Sequence, residues 1–353
     1  MASVAGALRR WALRRARSGA TRSNLPWSFL STSTTGAGND AVSEQIGQGA
    51  SGGEKAKTSA GSIPPPIRVS LTDSAGRGVF ASRAIGAGDL IHTASQPVVA
   101  HPLPSLLSKV CYYCLRRSSG DTAVLSDSSC SSSRYFCSDE CKEKSKGFLE
   151  IESTSSWSAY DTHCKERGLK YPFLVKRLAC MVVAGTVSAD TLDILQPASL
   201  HPDMLPEMEA EYELLKLAFV EADLEEALIS FLTKQWFLGV MARIRINAFR
   251  VETVGGSYED LLDLASSSVV ADSAVGNAVY ILPSFYNHDC DPNAHILWID
   301  NMDAKLKALR DIEPGEELRI CYIDASMDRE ARQSLLYHGF GFQCRCSRCL
   351  SGD

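Results

Sequence analysis

No apolar run in the 353 residues approaches the ~20 that a membrane-spanning helix needs, so no membrane partner is expected. No acid precedes Asp40, whereas the same stretch carries six arginines (Arg9, Arg10, Arg14, Arg15, Arg17 and Arg22) among many Ser and Thr. Residues 1–39 therefore read as a transit-like leader for a mitochondrion or plastid. The alternative is a basic tail that binds nucleic acid, with the nucleus as the location. Without those six charges the formal net charge of −6 becomes −12. So acidic a remainder is a poor nucleic-acid binder, so no direct nucleic-acid partner is expected, and it suits a basic peptide.

A working nucleotide loop is also lacking. Gly47-Gln-Gly49-Ala-Ser-Gly52 matches a dinucleotide fingerprint and Gly49-Ala-Ser51-Gly-Gly53 a nucleophile elbow. Both motifs need a strand before and a helix after them, and the Gly/Ser/Ala-rich residues 40–62 read as a disordered linker.

What is there is an ordinary globular composition, 45% apolar and 22% charged, enough for a real core. After Ile63, short β-rich runs are expected at Ile67–Leu71, Gly78–Ala81, Asp89–His92 and Pro97–Ala100, with turns at Gly76-Arg77-Gly78 and Ile85–Asp89. Helical spacing marks Phe173–Ala179, Met208–Phe219 and Leu224–Ile246. Strand character returns at Ala278–Leu282, His295–Ile299, Leu306–Leu309 and Leu318–Tyr322, with Glu313-Pro-Gly-Glu316 as a turn. β-rich ends thus bracket a helical middle and share one core.

Twelve cysteines divide the chain more sharply. Cys111-x-x-Cys114 and Cys137-x-x-x-Cys141 supply four thiolates, a complete zinc shell. Cys344-x-Cys346-x-x-Cys349 supplies three, and Cys290 in Asn287-His288-Asp289-Cys290 is the candidate fourth. Disulfides are the alternative, but organelle matrix, nucleus and cytosol are reducing, and Cys-x-Cys is too close for an easy bridge.

Gly76-Arg77-Gly78, Asn287-His288-x-Cys290-x-Pro292-Asn293, Asp311–Leu318 followed by Tyr322, and the terminal Cys-x-Cys-x-x-Cys together resemble a SET-domain lysine methyltransferase. The intervening cysteines resemble the MYND zinc module of the SMYD subfamily, and the Arg-rich leader is similar to that of plant trithorax-related SET proteins. The likeness covers about residues 63–350. It stops short of the C-terminal helical domain that walls the substrate cleft of many SMYD enzymes.

The resemblance implies a mixed, β-rich SET fold with a pseudoknot, in which the Asn-His-x-Cys segment and the last strand pass through one another. It also implies a helical insertion and small zinc modules. The expected layout is a SET domain at 63–325, interrupted by a MYND-like insertion at 111–164 and a helical insertion at 170–251, then a post-SET zinc segment at 326–353. It implies S-adenosylmethionine and Zn2+ as cofactors, with Gly76, Arg77, Gly78, Asn247, Asn287, His288, Tyr322 and Phe342 at the cofactor and Tyr322 as the catalytic residue. His288 read by itself is equally a core histidine at the crossing, and Phe342 equally packing for the zinc loop. Phe285, Tyr286 and Phe340 are candidate channel walls. The second MYND zinc site is degenerate, because Asp127 replaces the upstream partner of Cys130 and His163-Cys164 are adjacent. One zinc is expected in the insertion.

The function implied is lysine N-methylation of a histone tail, hence chromatin regulation, or of an organellar protein, by a monomer. The alternative is a catalytically weak SET scaffold that recruits a peptide through its MYND-like insertion.

Overall fold

A turn from Thr72 to Gly76 starts the fold by joining β1 (Ile67–Leu71) to β2 (Arg77–Ala81) in an antiparallel hairpin. Gly76 has φ of +72°, a left-handed conformation that L side chains rarely adopt. The Thr72 hydroxyl holds the turn by accepting from Ala75 N at 2.9 Å. This is a computed structural model, and it describes residues 64–118, 134–253 and 274–353. The leader, the linker and Cys130 lie outside the described residues.

The remaining strands are β3 (Leu90–Ala94), β4 (Val99–Pro102), β5 (Ala248–Glu252), β6 (Ala274–Val279), β7 (Asn287–His288), β8 (Ala294–Leu297), β9 (Ala304–Ala308) and β10 (Glu317–Ile320). They form three small sheets, β1-β2-β10-β7, β3-β9-β8 and β4-β6-β5. β10 is central to the first. It runs antiparallel to β2, with Leu318 opposite Val79, and parallel to β7, with Ile320 opposite His288. One core packs Val79, Ile91, Tyr286, Leu306, Leu318 and Ile320. A second packs Val110, Leu115, Val251, Val275, Tyr280 and Trp298.

The helices are α1 (Asp139–Thr154), α2 (Ser158–Glu166), α3 (Tyr171–Val183), α4 (Leu205–Glu221), α5 (Glu226–Ile229), α6 (Lys234–Asn247), α7 (Arg329–Phe340) and α8 (Ser347–Ser351). α1 starts at Ser138, whose hydroxyl accepts from Cys141 N at 3.2 Å, so the helix is capped at the second cysteine pair. α3 is buried nearly all round, Lys176 and Arg177 included. These cations are tolerated because acids meet them. Asp161 lies 2.5 Å from Lys176, and Glu152 accepts from Arg177 at 3.0 Å, Arg134 at 3.1 Å and the Tyr112 hydroxyl at 2.8 Å. The Arg177 guanidinium also lies 4.1 Å from the ring centres of Tyr112 and Phe148 and donates to Ala100 O. One ionic hub thus joins β4, the cysteine-rich insertion, α1 and α3.

Several expectations are corrected here. The run Leu224–Ile246 is interrupted, because Thr233 caps a new helix by accepting from Trp236 N at 3.1 Å. Helix ends at Asn247 and strand begins at Ala248, so the helical region stops short of residue 251. The apolar stretch before Asn287 is not one strand: β6 ends at Val279 and Pro283–Phe285 form a 3-10 turn. α1, α2 and α7 were not anticipated, since their apolar positions are few. Among the described residues no helix is long and apolar enough to cross a membrane.

Candidate active site

The two segments expected to cross lie side by side. Beyond the β7–β10 pairing, Asp289 N donates to Ile320 O at 3.0 Å, and Tyr322 N donates to His288 Nδ1 at 3.1 Å. With Nδ1 accepting, neutral His288 carries its proton on Nε2, which faces Cys290 Sγ at 3.3 Å. Burial pulls the imidazole pKa down to about 4, which keeps the ring neutral. His288 therefore links the Tyr322 backbone to a sulfur, and its side chain is committed to the crossing. Asn293 closes the same crossing, accepting from Arg319 N at 2.8 Å and donating to Glu316 at 3.0 Å.

Tyr322 lies at this point with its hydroxyl donating to Tyr286 O at 2.6 Å. Burial first, then the charge of Glu317, pushes its phenol above the ordinary range, so the hydroxyl stays protonated. Its ring sits 5.3 Å from His288, 5.0 Å from Phe340 and 6.4 Å from Phe342. Tyr286 is itself fixed, its hydroxyl 3.1 Å from His92 Nε2. No motif or spacing marks His92, which reaches the site only through β3.

Of the other expected cofactor residues, Arg77, Gly78 and Asn287 meet at β10 and Phe342 packs against His288, whereas Asn247 bonds to carbonyls of other elements. Asn287 Nδ2 donates to Arg77 O at 3.1 Å and to Glu317 Oε1 at 2.7 Å. A Cβ on Gly78 would lie 2.7 Å from that same Glu317 oxygen and 3.2 Å from Asn287 Nδ2, so only glycine fits the approach. A Cβ on Gly76 would meet nothing within 4 Å, leaving open space in front of the turn. Arg77 turns aside, with its guanidinium 4.9 Å from the Phe285 ring centre and donating to Ile194 O. Asn247, at the end of α6, uses its amide nitrogen on Gln196 O at 2.9 Å and Arg243 O at 2.8 Å. Phe342, half-buried and 5.9 Å from the His288 ring, offers an aromatic face. Open space, an amide, a glycine turn and an aromatic ring fit S-adenosylmethionine, which has a polar amino-acid end and a flat base.

Both cysteine sets converge. The sulfurs of Cys111, Cys114, Cys137 and Cys141 lie within 4.8 Å of one another, as do those of Cys290, Cys344, Cys346 and Cys349. The 3.4 Å from Cys114 to Cys137, 3.6 Å from Cys290 to Cys349 and 3.9 Å from Cys290 to Cys344 bracket the ~3.8 Å edge of a zinc–thiolate tetrahedron with Zn–S of about 2.3 Å. Burial pushes the Cys344 thiol up to about 11, so a cation is what makes such thiols into thiolates. The donor sets fit zinc. Among the described residues His163 and Cys164 join no such group. Cys164 is buried, which pushes its thiol up to about 12.

A SET domain model matches residues 76–323. The histone-lysine N-methyltransferase ATXR4 of Arabidopsis thaliana is 58% identical over 291 residues, covering 82% of this chain and 88% of that protein. A SET and MYND domain-containing protein of Dictyostelium discoideum is 27% identical over 268 residues, 72% of this chain and 76% of that one. Among solved structures, the SET domain of LSMT bound to lysine and AdoHcy aligns with 80% of this chain and 54% of its own, at a TM-score of 0.36 and 14% identity. With the matched domain covering well over half of its length, the chain belongs to the SET-domain family.

Proposed function

We propose that the chain is an S-adenosylmethionine-dependent protein-lysine N-methyltransferase acting on a histone tail or on an organellar protein. The observation that carries the reading is the Tyr322 hydroxyl, oriented by Tyr286 O at 2.6 Å beside His288 and Phe342. The 58% identity to a protein named for histone-lysine methylation points the same way. S-adenosylmethionine, when bound, supplies a methyl group on a sulfonium.

The chain's own part is to present a neutral amine in line with that methyl. A free lysine has a pKa of about 10.4, so near neutral pH losing its proton costs about 4 kcal/mol. Phe285 and Phe340 are read as the apolar walls that reduce that cost by disfavouring the ammonium, while Tyr286, fully buried, contributes its carbonyl rather than its ring. Tyr322 already donates its own proton to Tyr286 O, so its oxygen lone pairs accept from the amine N–H and orient the nitrogen. His288 is no base here, since Nδ1 is occupied by Tyr322 N–H. The amine gives up its proton to solvent before entering.

The proposed layout keeps the leader, the linker, a SET domain carrying two insertions, and the post-SET segment, with the helical insertion ending at Asn247. The leader is read as directing import to a mitochondrion or plastid. To test the reading, the purified protein and methyl-labelled cofactor are incubated with core histones and, separately, with organelle extract from cells lacking the protein. Label on lysine in either supports the proposal and names the substrate class. No label with either supports the scaffold reading. A fluorescent protein carrying residues 1–45 tests import, and a diffuse or nuclear signal sinks it.

A further inference from the structure

The geometry points to Glu317 as a positioning residue that sets which end of the Asn287 carboxamide faces the cofactor. Asn287 then presents a hydrogen-bond acceptor to the α-ammonium of S-adenosylmethionine; this rests on the methyltransferase reading above. A carboxylate only accepts hydrogen bonds. Glu317 Oε2 is held by Arg319, whose Nε donates at 2.8 Å and Nη2 at 2.5 Å. Its Oε1 takes Asn287 Nδ2 at 2.7 Å. The Asn287 amide also donates to Arg77 O at 3.1 Å. Both neighbours are acceptors, so the NH2 end of Asn287 must face them, and the oxygen is the end left for a ligand. An oxygen attracts an ammonium and repels a carboxylate, which orients an amino-acid ligand rather than merely binding it.

Three features hold Glu317 in place. β10 pairs it with Phe80, Gly78 leaves room for its Oε1 at 2.7 Å, and its side chain is only 12% exposed. The preceding acid does separate work: Glu316 accepts from Asn293 Nδ2 at 3.0 Å and from Arg310 at 2.6 Å. The two acids thus take one asparagine side chain each from the Asn-His-x-Cys-x-Pro-Asn segment, Glu317 that of Asn287 and Glu316 that of Asn293.

The assignment is tested by calorimetric binding of S-adenosylhomocysteine and of its analogue lacking the α-amino group. The proteins compared are wild type, Glu317→Gln, Arg319→Met and the double variant, with zinc content and melting temperature measured for each. In Glu317→Gln, Arg319 still requires an acceptor and draws the glutamine oxygen. The glutamine NH2 then opposes the NH2 of Asn287 and drives its amide to turn the NH2 toward the ligand, with only Arg77 O left to resist. Glu317→Gln is expected to weaken S-adenosylhomocysteine by about ten- to a hundredfold, as for a hydrogen bond to a charged group, and to leave the des-amino analogue within about twofold. With Arg319 also gone the glutamine is free to turn its oxygen to Asn287, so the double variant recovers to within about threefold of Arg319→Met. Equal losses for both ligands, no loss, or no recovery in the double variant overturn the assignment. A wild-type protein that binds neither ligand overturns the methyltransferase reading and this assignment with it.

Discussion

Tyr322 is worth testing by the smallest possible change, because Tyr322→Phe deletes one oxygen and keeps the ring against Phe340 and Phe342. Loss of an oriented hydroxyl of this kind is expected to lower kcat about a hundredfold or more, with zinc content unchanged and the melting temperature lowered only by the loss of the one hydrogen bond to Tyr286 O. Undiminished turnover would show that the amine is oriented by some other group. Gly78→Ala probes the opposite case, a residue that matters by what it lacks. Its new methyl would lie 2.7 Å from Glu317 Oε1 and 2.8 Å from Thr72 Cγ2, so β2 and β10 must separate or Glu317 must move. A destabilisation of about 1–3 kcal/mol and weakened cofactor binding are expected, read by denaturant titration and calorimetry. At this scale the sequence pattern was legible where chemistry is local. The cysteine spacings led to both sulfur clusters, whereas Glu317 acts across space on a residue from another strand, and no spacing encodes that.

Between elements, the hub centred on Glu152 and Arg177 carries the attachment of the cysteine-rich insertion to the SET core. Glu152→Ala removes the carboxylate that Arg177 and Arg134 share in a buried site and is expected to cost about 3–5 kcal/mol in equilibrium unfolding. A double variant that also replaces Arg177 with Met should recover part of it. Burial raises the Glu152 carboxyl, but the charges of Arg177, Arg134 and Lys176 outweigh burial and hold it below the ordinary 4.5. A depressed folded pKa means this stabilisation is full above about pH 4.5 and is lost as pH falls through the folded value. Glu152→Gln should therefore be less stable at pH 7 yet show a shallower acid limb, and an unchanged limb would remove Glu152 from the account. The hub also shows why element reading from sequence was partial. β1 appears at Ile67–Leu71 as expected, since its turn fixes it locally. α3 was legible as a helix but not as a buried one, because Lys176 and Arg177 read as a solvent face until their acids from α1 and α2 are placed against them. The break at Thr233 was hidden for a related reason: a side-chain cap is a single hydrogen bond, and periodicity averages over it.

For the whole molecule, elemental analysis should give two zinc ions per chain, and one or three would contradict the two four-sulfur groups. Stripping zinc with a chelator should lower the melting temperature and abolish methyl transfer together, because the second group includes Cys290 and so reaches Tyr322 through His288. The position of β10 has a further consequence, one of timing. β10, an inner strand of the first sheet, leaves the ribosome long after β2, which pairs with it. Until Glu317–Ile320 emerge, β2 and β7 must wait with an unpaired edge each, open to other chains. Pairing across nearly the whole described chain makes folding slow by its topology. The first sheet therefore cannot close, nor Tyr322 reach its place, until β10 has been made, and any later unfolding of the chain imposes the same delay again.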